Sequence, residues 1–352
     1  MKHDFGNYDV NMNKSLLRLE QIYSNIYNEI GGYSVRLRGG SPVNGSGFLI
    51  RMKKRGRTIL SFKHLYLMLL PFFAYYVLFY ILPYRGLEIA FLDYKPLLGY
   101  AGSKWVGMAN FVSYFKSMYF ARTFINTILL NIYGIVFGFP IPIILAILFN
   151  ELRNKYFRTM SQTISYIPNF ISTVVIAGLV VNFLSPSAGI INIILGKFGV
   201  APIYFLSKPQ FFRTIFITQG IWAGAGFGSI IYYSSICSID AELYEAAAID
   251  GAGRFQQTLR ITLPGISRTI AIMLILAMGN ILASNTDMII LLQIPATYTT
   301  SDVIGSYVYR MGLRQNNFSL ATAVGLLNGV ISLVLVTGAN FISKRVGDVS
   351  IY

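Results

Sequence analysis

Residues 123–149 read TFINTILLNIYGIVFGFPIPIILAILF, a stretch of 27 mostly apolar residues without a charged side chain. An α-helix needs about 20 such residues to cross the roughly 30 Å hydrocarbon core of a bilayer. Pro140 and Pro142 would disrupt a helix in a soluble protein, but in a membrane the neighbouring helices supply partners for the freed backbone groups. The stretch therefore predicts a kinked transmembrane helix.

Five further apolar runs in the chain have a similar length. They lie at residues 65–83, 163–184, 211–237, 269–292 and 319–343. Run 211–237 is rich in glycine, which favours close packing between membrane helices. Buried core helices of a soluble protein would be shorter and fewer. The fold class is therefore all-α, a polytopic membrane protein with six transmembrane helices.

The composition excludes several other classes of protein. The 352 residues include 29 Lys+Arg and 14 Asp+Glu, for a net charge of +15, and 54% are hydrophobic while 12% are charged. Soluble domains carry about 25% charged residues, and nucleic-acid binders gather their basic residues on one exposed face. One Cys and two His disfavour a disulfide framework, a zinc site and a Cys/His nucleophile pair. We predict no catalytic residue, no metal site and no nucleic-acid partner.

Basic residues predict the orientation of the spans, because they concentrate in cytoplasmic loops. Six of them immediately precede the first run: Arg51, Lys53, Lys54, Arg55, Arg57 and Lys63. The loops at 151–162 and 238–268 are also basic. Both termini are therefore predicted to be cytoplasmic. The first run is a permanent span and not a cleaved signal peptide, since a long polar segment precedes it.

This topology divides the chain into four parts. Residues 1–63 form a cytoplasmic N-terminal arm, interpreted as a short helix and a flexible, partly disordered Gly/Ser-rich linker. The six-helix transmembrane domain extends over 64–345 and includes a cytoplasmic loop at 238–267. Residues 346–352 form a cytoplasmic tail.

The loop between the fourth and fifth runs reads DAELYEAAAIDGAGRF from Asp240 to Phe255 and continues to ITLP, which ends at Pro264. Asp240 is a favourable N-cap, and the alanines that follow favour a narrow helix. Asp250 and Gly251 end this helix, and Asp250 is predicted to cap a second short helix that carries Phe255. The segment is therefore expected to be a bent pair of short helices.

This loop resembles the EAA loop of binding-protein-dependent ABC importers, whose pattern is Glu-Ala-Ala, three residues, Gly, nine residues and Ile-x-Leu-Pro. The residues at the specified positions are Glu245, Ala246, Ala247, Gly251, Ile261, Leu263 and Pro264. An Ala-rich interfacial helix without a partner would explain the alanines but not the glycine spacing or the terminal proline.

The resemblance extends from about residue 53 to the end of the chain. It covers Tyr66–Pro71, Ala90–Tyr94, Trp105–Gly107 with Asn110 and Phe111, Gly138–Pro140, Ser165–Pro168 and Tyr307–Arg310. These segments look like the maltose-permease-type superfamily, and more narrowly like its polysaccharide and complex-oligosaccharide permease subgroup. The first fifty or so residues have no counterpart in that pattern.

The resemblance implies a permease subunit of the bacterial plasma membrane that imports oligosaccharide or complex glycan by alternating access. Its implied partners are a second homologous permease, two cytoplasmic ATPases and an extracellular sugar-binding lipoprotein. Gly196-Lys197 lacks the rest of a P-loop, so ATP-Mg is expected on the ATPases, and this chain is expected to bind no cofactor and not to be an enzyme. The residues implied in ATPase coupling are Glu245, Ala246, Ala247, Asp250, Gly251, Phe255 and Pro264.

A substrate cavity is predicted on the fourth and fifth runs, near Trp222, Asn280, Asn285 and Asp287. Sugars present hydroxyls and apolar ring faces, and these amide, acidic and aromatic side chains can bind both. Trp222 is also interpretable as an interfacial anchor, and Asp287 as an acid at the outer end of a helix.

Three alternative functions remain open from the sequence. An ABC permease for amino acids or peptides is the runner-up. A secondary carrier would need coupling-ion residues in its spans, where Asp287 is the one acid. A membrane-embedded glycan enzyme would need acids or a nucleophile grouped at one membrane face.

Overall fold

A computed structural model of the chain describes residues 63–279, 281–282 and 285–347. Nearly all of the predicted N-terminal arm, the last residues of the chain and Asn280 lie outside these described residues. The described part is predominantly helical, as predicted. The chain divides into two units between Val77 and Leu78.

The first helix, α1 (Lys63–Tyr76), belongs to the first unit, and the other elements belong to the second. The second unit contains the strands β1 (Leu92–Asp93) and β2 (Lys104–Trp105) and the helices α2 (Gly99–Gly102), α3 (Ala109–Lys116), α4 (Met118–Tyr133), α5 (Pro140–Glu151), α6 (Lys155–Tyr166), α7 (Thr173–Phe183), α8 (Ile190–Lys197), α9 (Pro209–Cys237), α10 (Ala241–Ile249), α11 (Arg254–Gln257), α12 (Leu263–Gly265), α13 (Ser267–Gly279), α14 (Thr286–Leu292), α15 (Tyr298–Ser301), α16 (Ile304–Tyr309) and α17 (Phe318–Gly347). The π turns of the second unit are Gly134–Gly138, Thr258–Thr262 and Arg310–Arg314. A further π turn, Val77–Ile81, begins at the last residue of the first unit. The 3₁₀ segments are Leu82–Phe91, Ile167–Phe170, Phe205–Ser207 and Pro295–Thr297.

Four helical segments of the described chain are long and apolar enough to cross a membrane: His64–Phe91, Met118–Glu151, Pro209–Cys237 and Phe318–Gly338. Two further pairs of helices qualify when each pair is taken as one span. The first pair joins α6 to α7 with a bend of 99°, and the second joins the segment Arg254–Gly265 to α13 with a bend of 60°. The described residues thus contain four to six candidate spans.

Two of the predicted runs are not continuous helices. Run 163–184 breaks at Ile171, and Ser172 starts α7 by accepting a hydrogen bond from the Val175 backbone at 3.4 Å. Run 269–292 breaks after Gly279, and Asn285 caps α14 by accepting from the Met288 backbone at 3.2 Å. Apolar residues flank the first break on both sides, so hydrophobicity alone does not reveal it, whereas the second break falls in a sequence that contains Asn280, Ser284, Asn285 and Asp287.

The predicted irregularity at Pro140 takes the form of a π turn. Pro140 is the first residue of α5, and a proline has no N–H for the preceding turn of helix. The chain adapts by widening Gly134–Gly138, where the Phe139 N–H donates to both Gly134 O at 3.2 Å and Ile135 O at 3.3 Å. The helical segment Met118–Glu151 thereby stays continuous past Pro140.

Helix α9 packs along α5 and also contacts α6. Two of its glycines permit this packing, as predicted for the glycine-rich run. A Cβ on Gly226 would overlap the backbone carbonyl of Ser165, and a Cβ on Gly228 would lie 3.4 Å from Pro142 Cγ. Gly220 and Gly224 differ, because a Cβ on either would have no neighbour within 4 Å.

Candidate functional site

Helix α10 of the EAA loop has well-defined ends. Asp240 is its N-cap, as predicted, and its carboxylate accepts from the Glu242 backbone at 3.0 Å. At the other end Gly251 has a φ of +78°, the left-handed conformation that glycine adopts without strain. The Gly251 N–H donates to Ala248 O at 3.1 Å and the Ala252 N–H to Ala247 O at 2.8 Å, which together form a Schellman motif.

The prediction that Asp250 caps the second helix is wrong. Asp250 is the C-cap of α10, with φ −73° and ψ 3°, and three residues separate it from Arg254, the first residue of the next helix. The N-cap of α11 is Gly253, whose N–H donates to Gln256 Oε1 at 3.1 Å. Asp250 cannot cap α11 because an N-cap must directly precede the first helical residue.

The loop is fixed firmly to the rest of the second unit. The hydroxyls of Tyr244 and Thr262 are hydrogen-bonded at 3.0 Å, which joins α10 to the turn before α12. Ile266 has 1% exposure and belongs to a hydrophobic cluster with Tyr232 and Ile236 of α9 and Ala146 of α5. The loop can therefore transmit a displacement to α9 and α5.

The predicted coupling residues are mostly on the surface. Those that are exposed are Glu245, Ala246, Asp250, Gly251, Phe255 and Pro264, whereas Ala247 is half-buried. Ile249 and Phe255 are 86% and 75% exposed, an unusual placement for large apolar side chains. Glu245 and Gly251 line a groove of about 720 Å³ beside α5.

A second candidate site is a cavity of about 330 Å³ between α9 and the α4–α5 segment. Its polar lining consists of the amides Asn131, Gln219 and Asn285. Glycines from both walls also line it: Gly134, Gly138, Gly220 and Gly224. Amides both donate and accept hydrogen bonds, so this lining suits a ligand with many hydroxyls.

The structure brings one of the predicted cavity residues, Asn285, into this site. Trp222 lines a separate cavity of about 440 Å³ between α7 and α9, with mainly apolar neighbours. Asp287 is exposed in the first turn of α14 and lines neither cavity, and Asn280 lies outside the described residues. Sequence reasoning did not select Gln219, because no repeating pattern of polar residues along α9 distinguishes it from its neighbours.

Sequence reasoning also missed a buried charge cluster around Asp302. Asp302 has 0% exposure, and Arg122 Nη2 donates to its Oδ2 at 2.7 Å. Arg310 binds both carboxylate oxygens, with Nη1 to Oδ1 at 3.0 Å and Nη2 to Oδ2 at 2.7 Å. The Arg310 guanidinium also lies 4.7 Å from the ring centroid of Tyr298.

The Arg310 guanidinium of this cluster keeps its charge at ordinary pH. Burial lowers the pKa of the Arg310 guanidinium, but its hydrogen bonds to Asp302 and the charge of that carboxylate raise it by more, so the pKa lies above its ordinary value. Arg310 therefore stays charged, and Asp302 holds α16 to the first turn of α4 through Arg122.

Asn126, next to this cluster, joins three segments. Its Nδ2 donates to Thr299 O at 3.1 Å and to Asp302 O at 3.2 Å. Its Oδ1 accepts from Arg213 Nη2 at 2.9 Å. Asn126 thus connects α4 both to α9 and to the short helices after α14.

Known proteins resemble this chain over most of its length. Residues 138–348 match the family described as binding-protein-dependent transport system inner membrane component. The polygalacturonan/rhamnogalacturonan transport system permease protein YteP of Bacillus subtilis is 39% identical over 307 residues, which cover 86% of this chain and 96% of YteP. Protein LplB of the same organism is 38% identical over 80% of this chain and 89% of its own length.

A solved structure agrees with these relatives. A chain of a bacterial ABC transporter involved in the import of the acidic polysaccharide alginate aligns with a TM-score of 0.77 and 44% identity, over 84% of this chain and 99% of that chain. The protein therefore belongs to the binding-protein-dependent transport system inner membrane components and is a multi-pass permease subunit of an ABC importer in the bacterial plasma membrane, not an enzyme.

Proposed function

We propose that this permease imports an oligosaccharide by alternating access. The observation that carries the proposal is that α9 connects the two candidate sites. Gly220 and Gly224, near the middle of α9, line the amide cavity, and Ile236, near the C-terminal end of α9, packs in the same cluster as Ile266 beside the EAA loop. A rotation imposed on the loop would therefore change the cavity at the middle of the same helix.

The relatives support sugar as the substrate class. YteP is named for polygalacturonan and rhamnogalacturonan transport, and the solved importer for alginate. Amino acids and peptides, the alternative from the sequence, have no comparable support among these names. The amides Asn131, Gln219 and Asn285 would bind sugar hydroxyls, while Trp222, Asp287 and Asn280 stay predictions for the wider pathway.

The proposed topology has six spans, with each bent pair of helices counted as one. Both termini and the EAA loop would then lie in the cytoplasm, in agreement with the basic residues that flank the spans. In this arrangement α10 and α11 face the cytoplasm, and the start of α9 at Pro209 lies towards the outer face.

The proposed partners follow the same division of labour. A related alginate importer was solved in complex with a periplasmic protein carrying an alginate pentasaccharide, so we include a sugar-binding protein at the outer face. A second permease would complete the pathway. Two ATPases would bind ATP-Mg and contact Ile249, Phe255 and Glu245, which are exposed at the EAA loop, while this chain would bind no cofactor.

The test compares two glycines of the EAA loop in the complete importer reconstituted in vesicles. Gly251→Ala forces an L-residue into the left-handed region, at a cost of about 1–2 kcal/mol, and should tilt α11 relative to α10. We expect the number of sugars imported per ATP hydrolysed to fall several-fold.

The matched control is Gly253→Ala. Gly253 has a φ of −69°, and a Cβ there would meet no atom within 4 Å, so coupling should stay normal. Equal coupling in the two variants would remove the bend at Gly251 from the mechanism.

A further inference from the structure

Arg213 lies on the face of α9 that forms the wall of the amide cavity. Ile217, Gly220 and Gly224 line this cavity, and they follow Arg213 at intervals of four, seven and eleven residues. Residues at these intervals share one face of an α-helix. Arg213 therefore lies about one turn beyond the cavity, towards the start of α9 at Pro209.

The opposite wall has the same arrangement. Asn126 and Leu130 of α4 and Gly134 of the following π turn succeed one another at intervals of four residues, and Leu130 and Gly134 line the cavity. The hydrogen bond of 2.9 Å from Arg213 Nη2 to Asn126 Oδ1 thus connects the two walls directly above the cavity. It lies at the end of α9 remote from the EAA loop, where an imported solute would enter.

The charge of Arg213 is not neutralised by the part of the chain that the structure describes. The ion pairs there join Arg122 and Arg310 to Asp302, and Arg254 to Glu151. Arg213 donates instead to the neutral amide of Asn126, and its Nε is buried without a hydrogen-bond partner. A buried donor without a partner is costly, so an anionic ligand would be favoured at this position.

We propose that Arg213 binds a carboxylate of the sugar at the entrance of the amide cavity, so that the substrate is an oligosaccharide containing uronate residues. The planar guanidinium can bind a carboxylate with two parallel hydrogen bonds. Asn131 and Gln219, about one to two turns further along the same walls, would then bind the hydroxyls of the sugar. This inference rests on the proposed oligosaccharide import.

The experiment measures uptake of trigalacturonate by the complete importer, with its binding protein, in vesicles. Loss of one charge-assisted contact corresponds to on the order of a tenfold change, so Arg213→Gln should lower the initial rate at low substrate concentration by about that factor. Arg213→Lys keeps the charge but not the two parallel donors, and should be intermediate.

Two controls separate recognition of charge from a general defect. Arg314→Gln removes an exposed arginine that lies over Tyr309, and trigalacturonate uptake should match the wild type. The fully methyl-esterified trisaccharide has the same rings without the charge, and any uptake of it should be unaffected by Arg213→Gln.

Three results would overturn the inference and leave the proposed function standing. They are unchanged trigalacturonate uptake in Arg213→Gln, an equal loss for the acid and its ester, and wild-type uptake of the ester but not of the acid. If the wild type imported none of the three probes, that is trigalacturonate, its methyl ester and neutral maltotriose, the proposed oligosaccharide import would be overturned, and this inference with it.

Discussion

The carboxylate of Asp302, which lies between the short helices α15 and α16, is the shared partner of two arginines. It has no exposure, and it accepts hydrogen bonds from two arginines and from Ser306 Oγ at 3.1 Å. Removing one partner of such a buried group leaves the others charged and without a counterion, which is much more costly than the loss of a surface pair.

We predict that Asp302→Asn lowers the free energy of unfolding of the detergent-solubilised chain by about 3–5 kcal/mol. The asparagine preserves the shape of the side chain but leaves Arg122 and Arg310 without a counterion. The measurement is unfolding in a series of mixed micelles with increasing denaturing detergent.

The control is an exposed ion pair in the same chain. Glu151 Oε2 lies 3.4 Å from Arg254 Nη1, with side-chain exposures of 35% and 64%. Glu151→Gln should cost less than about 1 kcal/mol. Similar losses in both variants would show that the charge of Asp302 contributes little to stability.

The sequence predicted local contacts between residues and missed distant ones. Asp240 was recognised as an N-cap because its partner lies two residues away. Asp302 was overlooked because Arg122 lies 180 residues earlier in the chain, and its segment is polar enough to pass for an ordinary loop. Asp287 was selected for its place in an apolar run, but the structure exposes it.

At the level of secondary-structure elements, composition predicted the helices better than their breaks. Hydrophobicity located α9 as one continuous helix, because its apolar residues and its length both fit a span. It did not reveal the 99° bend between α6 and α7, since apolar residues occur on both sides of Ser172. The relevant signal is the capping hydroxyl, which is weak beside a run of branched apolar residues.

The glycines of α9 lead to a prediction about helix packing. A Cβ on Gly226 would overlap the backbone carbonyl of Ser165, so Gly226→Ala must separate α9 from α6. Overpacking of this kind typically costs about 1–3 kcal/mol. We expect the midpoint of thermal unfolding of the solubilised complex to fall.

Gly220→Ala is the matched control for this packing. Its Cβ would enter open space in the cavity, and alanine is a better helix former than glycine by about 1 kcal/mol. Its thermal midpoint should be equal to or above that of the wild type. A fall of the same size in both variants would attribute the effect to α9 itself and not to its contact with α6.

At the scale of the whole molecule, the candidate site depends on contacts that cross the sequence. The EAA loop was predicted because its motif is contiguous, from Glu245 to Pro264. The amide cavity combines Asn131, Gln219 and Asn285, which come from three separated helices. Helix packing alone decides which polar groups of the spans face each other, and the sequence does not reveal it. Trp222 and Asn285 were therefore predicted to share one site, but they line different cavities.

The proposed sidedness of the protein leads to the last prediction, because one span separates Lys104 from Lys155. Met118–Glu151 is a helical segment of 34 residues, and at 1.5 Å per residue it exceeds the roughly 30 Å of the hydrocarbon core. Cys237→Ser removes the one cysteine of the chain. In that background, Lys104→Cys should react with a membrane-impermeant maleimide from outside intact cells, and Lys155→Cys only in inverted vesicles. Both lysines are exposed, so each thiol should react fully once the membrane is permeabilised. Labelling of both from the same side would contradict the span, and the reverse pattern would place the EAA loop outside the cell, away from ATP.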